Sequence, residues 1–321
     1  MTSVSEIEII DALKLKTFDN HYQNIIQGIG DDGAITSINA DYHLVTTTDA
    51  ISEGVHYPKG IEAKAIGHRC LAVNLSDMAA MGAKPLWASL VFSRPSIDQM
   101  WLEQFISGFS ELANKHHVTL IGGDTISGPE LFSVTLQGIV PKNKSILRST
   151  AKNGDLVYVT GFLGNASQGL KIIQEDKKNS SSEKLIQDFL YPNPRLKESS
   201  VISRFATSMI DISDGFYSDL QKVMKASNVG AEIKISDLPI SESLLKKMPR
   251  VDAVNAALFG GDDYELCFTI PREFKKDFHE DYQLTNSTCI TCVGEIKQKN
   301  LLLLDDNNKE FKLSGRAFEH F

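Results

Sequence analysis

Six times along this chain a short apolar run ends on an aspartate flanked by glycine, serine or threonine. The instances are Gly28-Ile29-Gly30-Asp31-Asp32-Gly33, Thr46-Thr47-Thr48-Asp49, Asn74-Leu75-Ser76-Asp77, Ile121-Gly122-Gly123-Asp124, Asp211-Ile212-Ser213-Asp214-Gly215 and Gly260-Gly261-Asp262-Asp263. Element ends beside small residues are where backbone can approach a ligand closely. Aspartate there is a short, stiff oxygen donor suited to Mg²⁺, which takes a few carboxylates and completes its shell with water and phosphate oxygens. Taken singly, each instance reads first as an Asx turn or a helix cap. Two resist that reading. Asp77 lies in the last turns of a helical stretch, where the negative end of the dipole disfavours a carboxylate, and Asn74 shares its face three residues earlier. Asp31 and Asp32 are adjacent carboxylates among three glycines, with no neighbouring cation.

The chain of 321 residues is long enough for about two domains. Periodicity predicts a helix near residues 4–15, a strand at 43–48, a long helix at 63–81 and a strand at 86–92. A helix at about 98–116 leads into strands at 118–121 and 132–140. Lys, Asn and Ser then cluster over 141–154, which marks a boundary between a domain of residues 1–145 and one of 146–321. The second half is expected to carry strands at 156–160, 209–212, 265–270 and 290–295 and helices near 197–207 and 217–227, with a polar loop at 177–184. Alternating helices and strands in both halves predict an α/β (α+β) class with two domains.

Several classes are excluded on composition. With 33 basic against 41 acidic residues the net charge is −8, which argues against a nucleic-acid binder. It does not argue against a phosphate substrate held through metal. No run of 18 apolar residues is present, so no membrane partner is expected. Residues 1–15 carry Glu6, Glu8 and Asp11 without a basic run, so no signal peptide is expected, and four cysteines do not make a disulfide scaffold. The expected location is cytoplasmic. Cys289 and Cys292 form a C-x-x-C in a β-branched stretch, expected to be core strand rather than a redox or zinc pair. Gly28, Gly30 and Gly33 form a G-x-G-x-x-G, but two carboxylates would face a pyrophosphate there. Residues 164–169 have the first spacing of a P-loop, yet Leu170-Lys171 follows where Lys-Ser/Thr is required. His56, seven residues after Asp49, and Arg148, at the boundary, are further candidates.

The ordered set GIGDD, TTTDAISEGVH, AVNLSDMAAMGA, IGGDT, DISDG with SDL, and GGDDYELCFT resembles the thiamine-monophosphate kinases. These belong to the ATP-binding superfamily that includes aminoimidazole ribonucleotide synthetase. The likeness runs from Ser5 to Phe321. It implies the two-domain fold of that superfamily, with a homodimer formed through sheets of the N-terminal domain. It implies several Mg²⁺ ions held by Asp31, Thr47, Thr48, Asp49, Asp77, Asp124, Asp211 and Asp214. ATP would be contacted by Gly123, Arg148 and Ser213, and thiamine monophosphate by His56, Asp262 and Phe318. The family commonly has Glu-Asp-Tyr-Glu where this chain has Asp262-Asp263-Tyr264-Glu265, so the side chain at 262 is one methylene shorter.

The chemistry agrees with the acidic inventory. A phosphate monoester acceptor has a second pKa of about 6, so its nucleophilic oxygen is mostly ionised at neutral pH and no general base is required. The obstacle is repulsion between two anions, which clustered Mg²⁺ would screen. The expected activity is in-line transfer from ATP to thiamine monophosphate. The alternatives are a sister enzyme making selenophosphate or aminoimidazole ribonucleotide, or a non-catalytic Mg²⁺-nucleotide binder. The first cysteine is Cys70, too late for the amino-terminal cysteine common in selenophosphate synthesis.

Overall fold

The computed structural model describes residues 6–17, 24–27, 29, 34–176, 182–305, 307 and 309–311. The chain splits into two compact units, one of Met1–Met78 with Ala83–Asn143, the other of Ala79–Gly82 with Lys144–Phe321.

In chain order, the first unit carries α1 (Glu6–Thr17), β1 (Ile25–Gln27), β2 (Ile35–Thr36) and β3 (Tyr42–Ser52), then α2 (Ala63–Ala80), whose last two residues fall in the second unit. It continues with β4 (Lys84–Ser93), α3 (Gln99–Lys115), β5 (Thr119–Ile126) and β6 (Leu131–Pro141). The expected strands at 43–48 and 118–121 are therefore longer, each running on through its aspartate. Four strands form one sheet in the order β3-β6-β4-β5, with only β4 and β5 parallel.

Strand alternation gives this sheet two unlike faces. One carries Ala88, Leu90, Phe92, Phe132, Val134 and Leu136, all buried. Phe92, Phe132 and the α3 rings Trp101 and Phe105 pack with centroids 4.8–6.0 Å apart. Helix α3 starts where Asp98 accepts the Trp101 N–H at 2.9 Å, and its buried side chains Leu102, Phe105, Ile106, Phe109, Leu112 and Ala113 follow the helical period. Helices α2 and α3 touch backbone to backbone. A Cβ on Gly67 would lie 2.0 Å from the Phe105 carbonyl oxygen, and one on Gly108 would lie 1.9 Å from that of Lys64. The other face bears Thr46, Thr48, Thr135 and Asp124 with the exposed apolar residues Leu44, Val91, Ile126 and Leu131.

The second unit runs β7 (Leu156–Thr160), α4 (Asn165–Gln174), α5 (Glu183–Leu190), α6 (Leu196–Ile202), β8 (Ser208–Ile212) and α7 (Phe216–Ser227). It ends with β9 (Gly230–Lys234), α8 (Glu242–Leu245), α9 (Arg250–Phe259), β10 (Glu265–Ile270), α10 (Lys275–Thr285), β11 (Ile290–Lys297) and β12 (Leu301–Leu304). Its six-stranded sheet has the order β12-β9-β11-β7-β10-β8 and is antiparallel except for β12 on β9. One core packs Val157, Val159, Ile210 and Ile212 on Phe216, Leu220 and Leu258. The other packs Tyr158, Leu266 and Phe268 on Ile202, Phe278 and Tyr282.

Three expectations need correction. The helix near 197–207 stops at Ile202, and Thr207 instead gives its N–H to Thr269 O at 2.8 Å. Of the polar loop at 177–184, Glu183 and Lys184 begin α5, while 177–181 lie outside the described residues. The C-x-x-C is not core: Cys289 is exposed ahead of β11 and Cys292 is half-buried.

Candidate active site

In the first unit the carboxylates of Asp49 and Asp77 meet. Asp49 projects from β3 toward the helical side of the sheet, because it pairs with buried Val134 in β6 and, beyond it, Leu90 in β4. Asp77 comes from the last turn of α2. Thr47, two residues before Asp49 on the same strand face, donates its hydroxyl to Asp77 Oδ2. Asn74, one turn before Asp77, accepts the Asp49 N–H at 3.2 Å through Oδ1 and donates to Cys70 O at 3.3 Å. The amide thus locks the strand to the helix. Burial, followed by the Asp77 charge and hydrogen bond, pushes the Asp49 carboxyl up to about 6. Two carboxyl groups in contact, with a hydroxyl and an amide oxygen beside them, form a hard oxygen donor set that a divalent cation fits.

Thr48 and Asp124 do not join that group. Successive strand residues point to opposite faces, so Thr48 lies on the open face, where its hydroxyl is 2.9 Å from that of Thr135. Asp124 is also exposed on the open face, on β5 at the far edge of the sheet, with Oδ1 accepting the Thr125 N–H at 2.9 Å. Three strand spacings separate the two edges, roughly 14 Å. Within one unit, Asp49 and Asp124 side chains cannot share an ion. Gly123 has a structural reason of its own, since a Cβ there would lie 2.0 Å from the Leu90 carbonyl oxygen. His56 sits in the turn after β3, with Nδ1 accepting the Ser52 N–H at 3.1 Å, so the neutral ring carries its proton on Nε2. The adjacent Tyr57 hydroxyl donates to Glu130 at 3.0 Å, and Arg94 holds the same carboxylate at 2.8 Å.

In the second unit, Asp211 is buried near the end of β8, and Ser213 and Asp214 form the turn into α7. That turn is clamped from inside. Fully buried Asp219, in the first turn of α7, accepts the N–H groups of Ser213 and Asp214 at 3.0 Å each through Oδ2. Lys222 joins Asp214 Oδ2 at 2.5 Å to Asp219 Oδ1 at 2.7 Å. Burial raises the Asp219 pKa even so, with the Lys222 contact opposing it. The Gly-Gly-Asp-Asp-Tyr loop lies against the same turn: Asp262 N–H donates to Ser213 O and Tyr264 N–H to Ile212 O, both at 2.9 Å. Asp262 and Tyr264 have φ of 68° and 49°, and the Tyr264 hydroxyl bonds Asp262 Oδ1 at 2.9 Å. Asp263 turns the other way and accepts the Gly164 and Ala166 N–H groups at 2.7 and 3.3 Å, capping α4.

Arg148 is exposed and bonds through its carbonyl oxygen to Ser227. Asp31 and Phe318 lie outside the described residues. Among the described residues, no three His, Cys, Asp or Glu side chains converge. Asp219, Lys222 and Tyr264 were not singled out in the sequence. The i,i+3 spacing of Asp219 and Lys222 was the signal for one pair.

Comparison with known proteins identifies the family. Residues 30–140 match the family described as AIR synthase related protein, N-terminal domain, and residues 152–301 match its C-terminal domain. A thiamine-monophosphate kinase of Buchnera aphidicola subsp. Schizaphis graminum is 40% identical over 326 residues, covering 99% of both chains. The crystal structure of thiamine-monophosphate kinase from Stenotrophomonas maltophilia K279a superposes with a TM-score of 0.87 at 37% identity, covering 94% of this chain and 97% of that one. A structure described as AaThiL complexed with AMPPCP and TMP superposes with a TM-score of 0.78 at 28% identity, covering 98% and 97%. With both domain models matched and relatives aligned along nearly the whole chain, the protein belongs to the thiamine-monophosphate kinase family of AIR synthase related proteins.

Proposed function

We propose that the protein transfers the γ-phosphoryl group of ATP directly to the phosphate of thiamine monophosphate, giving thiamine diphosphate and ADP. The observation that carries this reading is the opposed pair Asp49 and Asp77, flanked by Thr47 and Asn74, in a chain whose relatives share the kinase name over their full length. Asp49, Asp77 and Thr47 hold Mg²⁺ in the first unit, together with Asp31. Asp211 and Asp214 hold it in the second. Bound Mg²⁺ supplies charge neutralisation between donor and acceptor phosphates and stabilises the transferring group. Asn74 keeps β3 and α2 in register so that the two carboxylates stay opposed. Asp219 fixes the Ser213 and Asp214 N–H groups and so presets the turn that meets ATP, which Arg148 and Gly123 also contact.

For the acceptor, His56 presents a neutral ring oriented by Ser52, and Phe318 supplies an aromatic face. Asp262 is held by Tyr264, which orients the shorter side chain for the substrate. No residue removes a proton, because the acceptor oxygen is already ionised at neutral pH.

The placement of Asp124 favours a homodimer. The open sheet face, with Leu44, Val91, Ile126 and Leu131 exposed, is the surface a second copy would cover, and Asp124 on that face serves the second copy's site. An assay with ATP, Mg²⁺ and thiamine monophosphate should release ADP and thiamine diphosphate in equal amounts. ADP release no higher than in the absence of thiamine monophosphate would remove the reading.

A further inference from the structure

Three carboxylates of the second unit, Asp211, Asp214 and Asp219, fall within nine residues, and one ammonium group is built into their midst. Asp219 has both oxygens engaged, one on the turn's two N–H groups and one on Lys222. It is a structural clamp with nothing left for a metal. Asp214 differs: it is half-buried, and its Oδ2 is 2.5 Å from Lys222 Nζ, where a metal would bind.

We propose that Lys222 is a tethered cation that competes with Mg²⁺ for Asp214 and so sets the Mg²⁺ concentration at which the second unit loads. An ammonium and a divalent ion on one oxygen repel each other. The lysine stem is flexible, so Nζ can leave Asp214 while keeping Asp219, three residues away on the same helix. In the metal-free protein the same group keeps buried Asp219 paired, so the turn holds its shape before any ion arrives.

This inference rests on reading Asp214 as a metal ligand. The test is Mg²⁺ titration of the full chain without nucleotide, followed by thermal unfolding and calorimetry, for the wild type, K222M, D214N and K222M/D214N. If Lys222 competes, K222M lowers the metal-free melting temperature and shifts the second-unit Mg²⁺ midpoint down about tenfold, the scale of removing one adjacent unit charge. The shift vanishes in the D214N background. If D214N raises the midpoint while K222M leaves it unchanged or raises it, Lys222 is a structural ion pair and the proposal fails. If D214N has no effect on the midpoint, Asp214 is not a ligand, and that reading fails first. Should K222M not fold, D219N/K222M removes the buried charge along with its partner and keeps an oxygen for the turn, and the same outcomes decide.

Discussion

At the scale of single residues, the site turns on how far a carboxylate's neighbours dictate its role. Asp49→Asn or Asp77→Asn leaves the fold intact and should reduce phosphoryl transfer by at least about 10²–10³-fold, the range seen when one group stabilising transferring charge is lost. Steady-state kinetics and circular dichroism on the same samples check both halves of that statement. Thr47 and Thr48 form a sharper contrast. Thr47→Val removes a hydroxyl bonded to Asp77 and should cost about 10- to 100-fold more turnover than Thr48→Val, whose hydroxyl meets Thr135. Asp77 was legible in the sequence because helical spacing put it beside Asn74 at the wrong end of a dipole. The separation of Thr47 from Thr48 follows from strand alternation alone, but the family likeness named both. Lys222 was harder to see, since its partners Asp214 and Asp219 come from a turn and a helix that meet only when the turn is folded.

Among elements, α2 and α3 show what sequence patterns convey and omit. The span of α3 was readable, at about 98–116. The reason for Gly67 and Gly108 was not, because it lies in each glycine's contact with the other helix's backbone. Gly108→Ala should destabilise the first unit by about 1–3 kcal/mol, measured by urea unfolding, as the two helices are forced apart. The other end of α3 supplies a pH response. His116 caps the helix with Nε2 buried and unbonded, and desolvation, then the charges of Lys115, His68 and His117, lowers its pKa to about 4. A folded pKa below the unfolded value of about 6.5 means the unfolded chain binds the proton first. Stability is therefore full above pH 6.5 and lost progressively as pH falls toward 4. His116→Asn should flatten the fall in urea midpoint between pH 7 and pH 5.

For the whole molecule, the alternation of helices and strands foretold two α/β units, and strands such as Leu156–Thr160 and Glu265–Ile270 lie at the expected residues. Sheet order was not readable, and it is sheet order that puts Asp49 and Asp124 on opposite edges. If Asp124 serves a second copy, mixing inactive Asp49→Asn and Asp124→Asn chains should restore activity, because a mixed dimer contains one intact site. A mixture as inactive as its components, with subunit exchange verified by mass, would show that both residues serve one chain's site. Cysteine placement has a practical side. Cys70 and Cys267 are buried, and Cys289 and Cys292, three apart along an extended segment, point to opposite faces and do not pair. Cys289 is thus the thiol a maleimide dye reaches first, and a fluorophore there would let nucleotide and metal arrival be watched in real time without engineering a new attachment point.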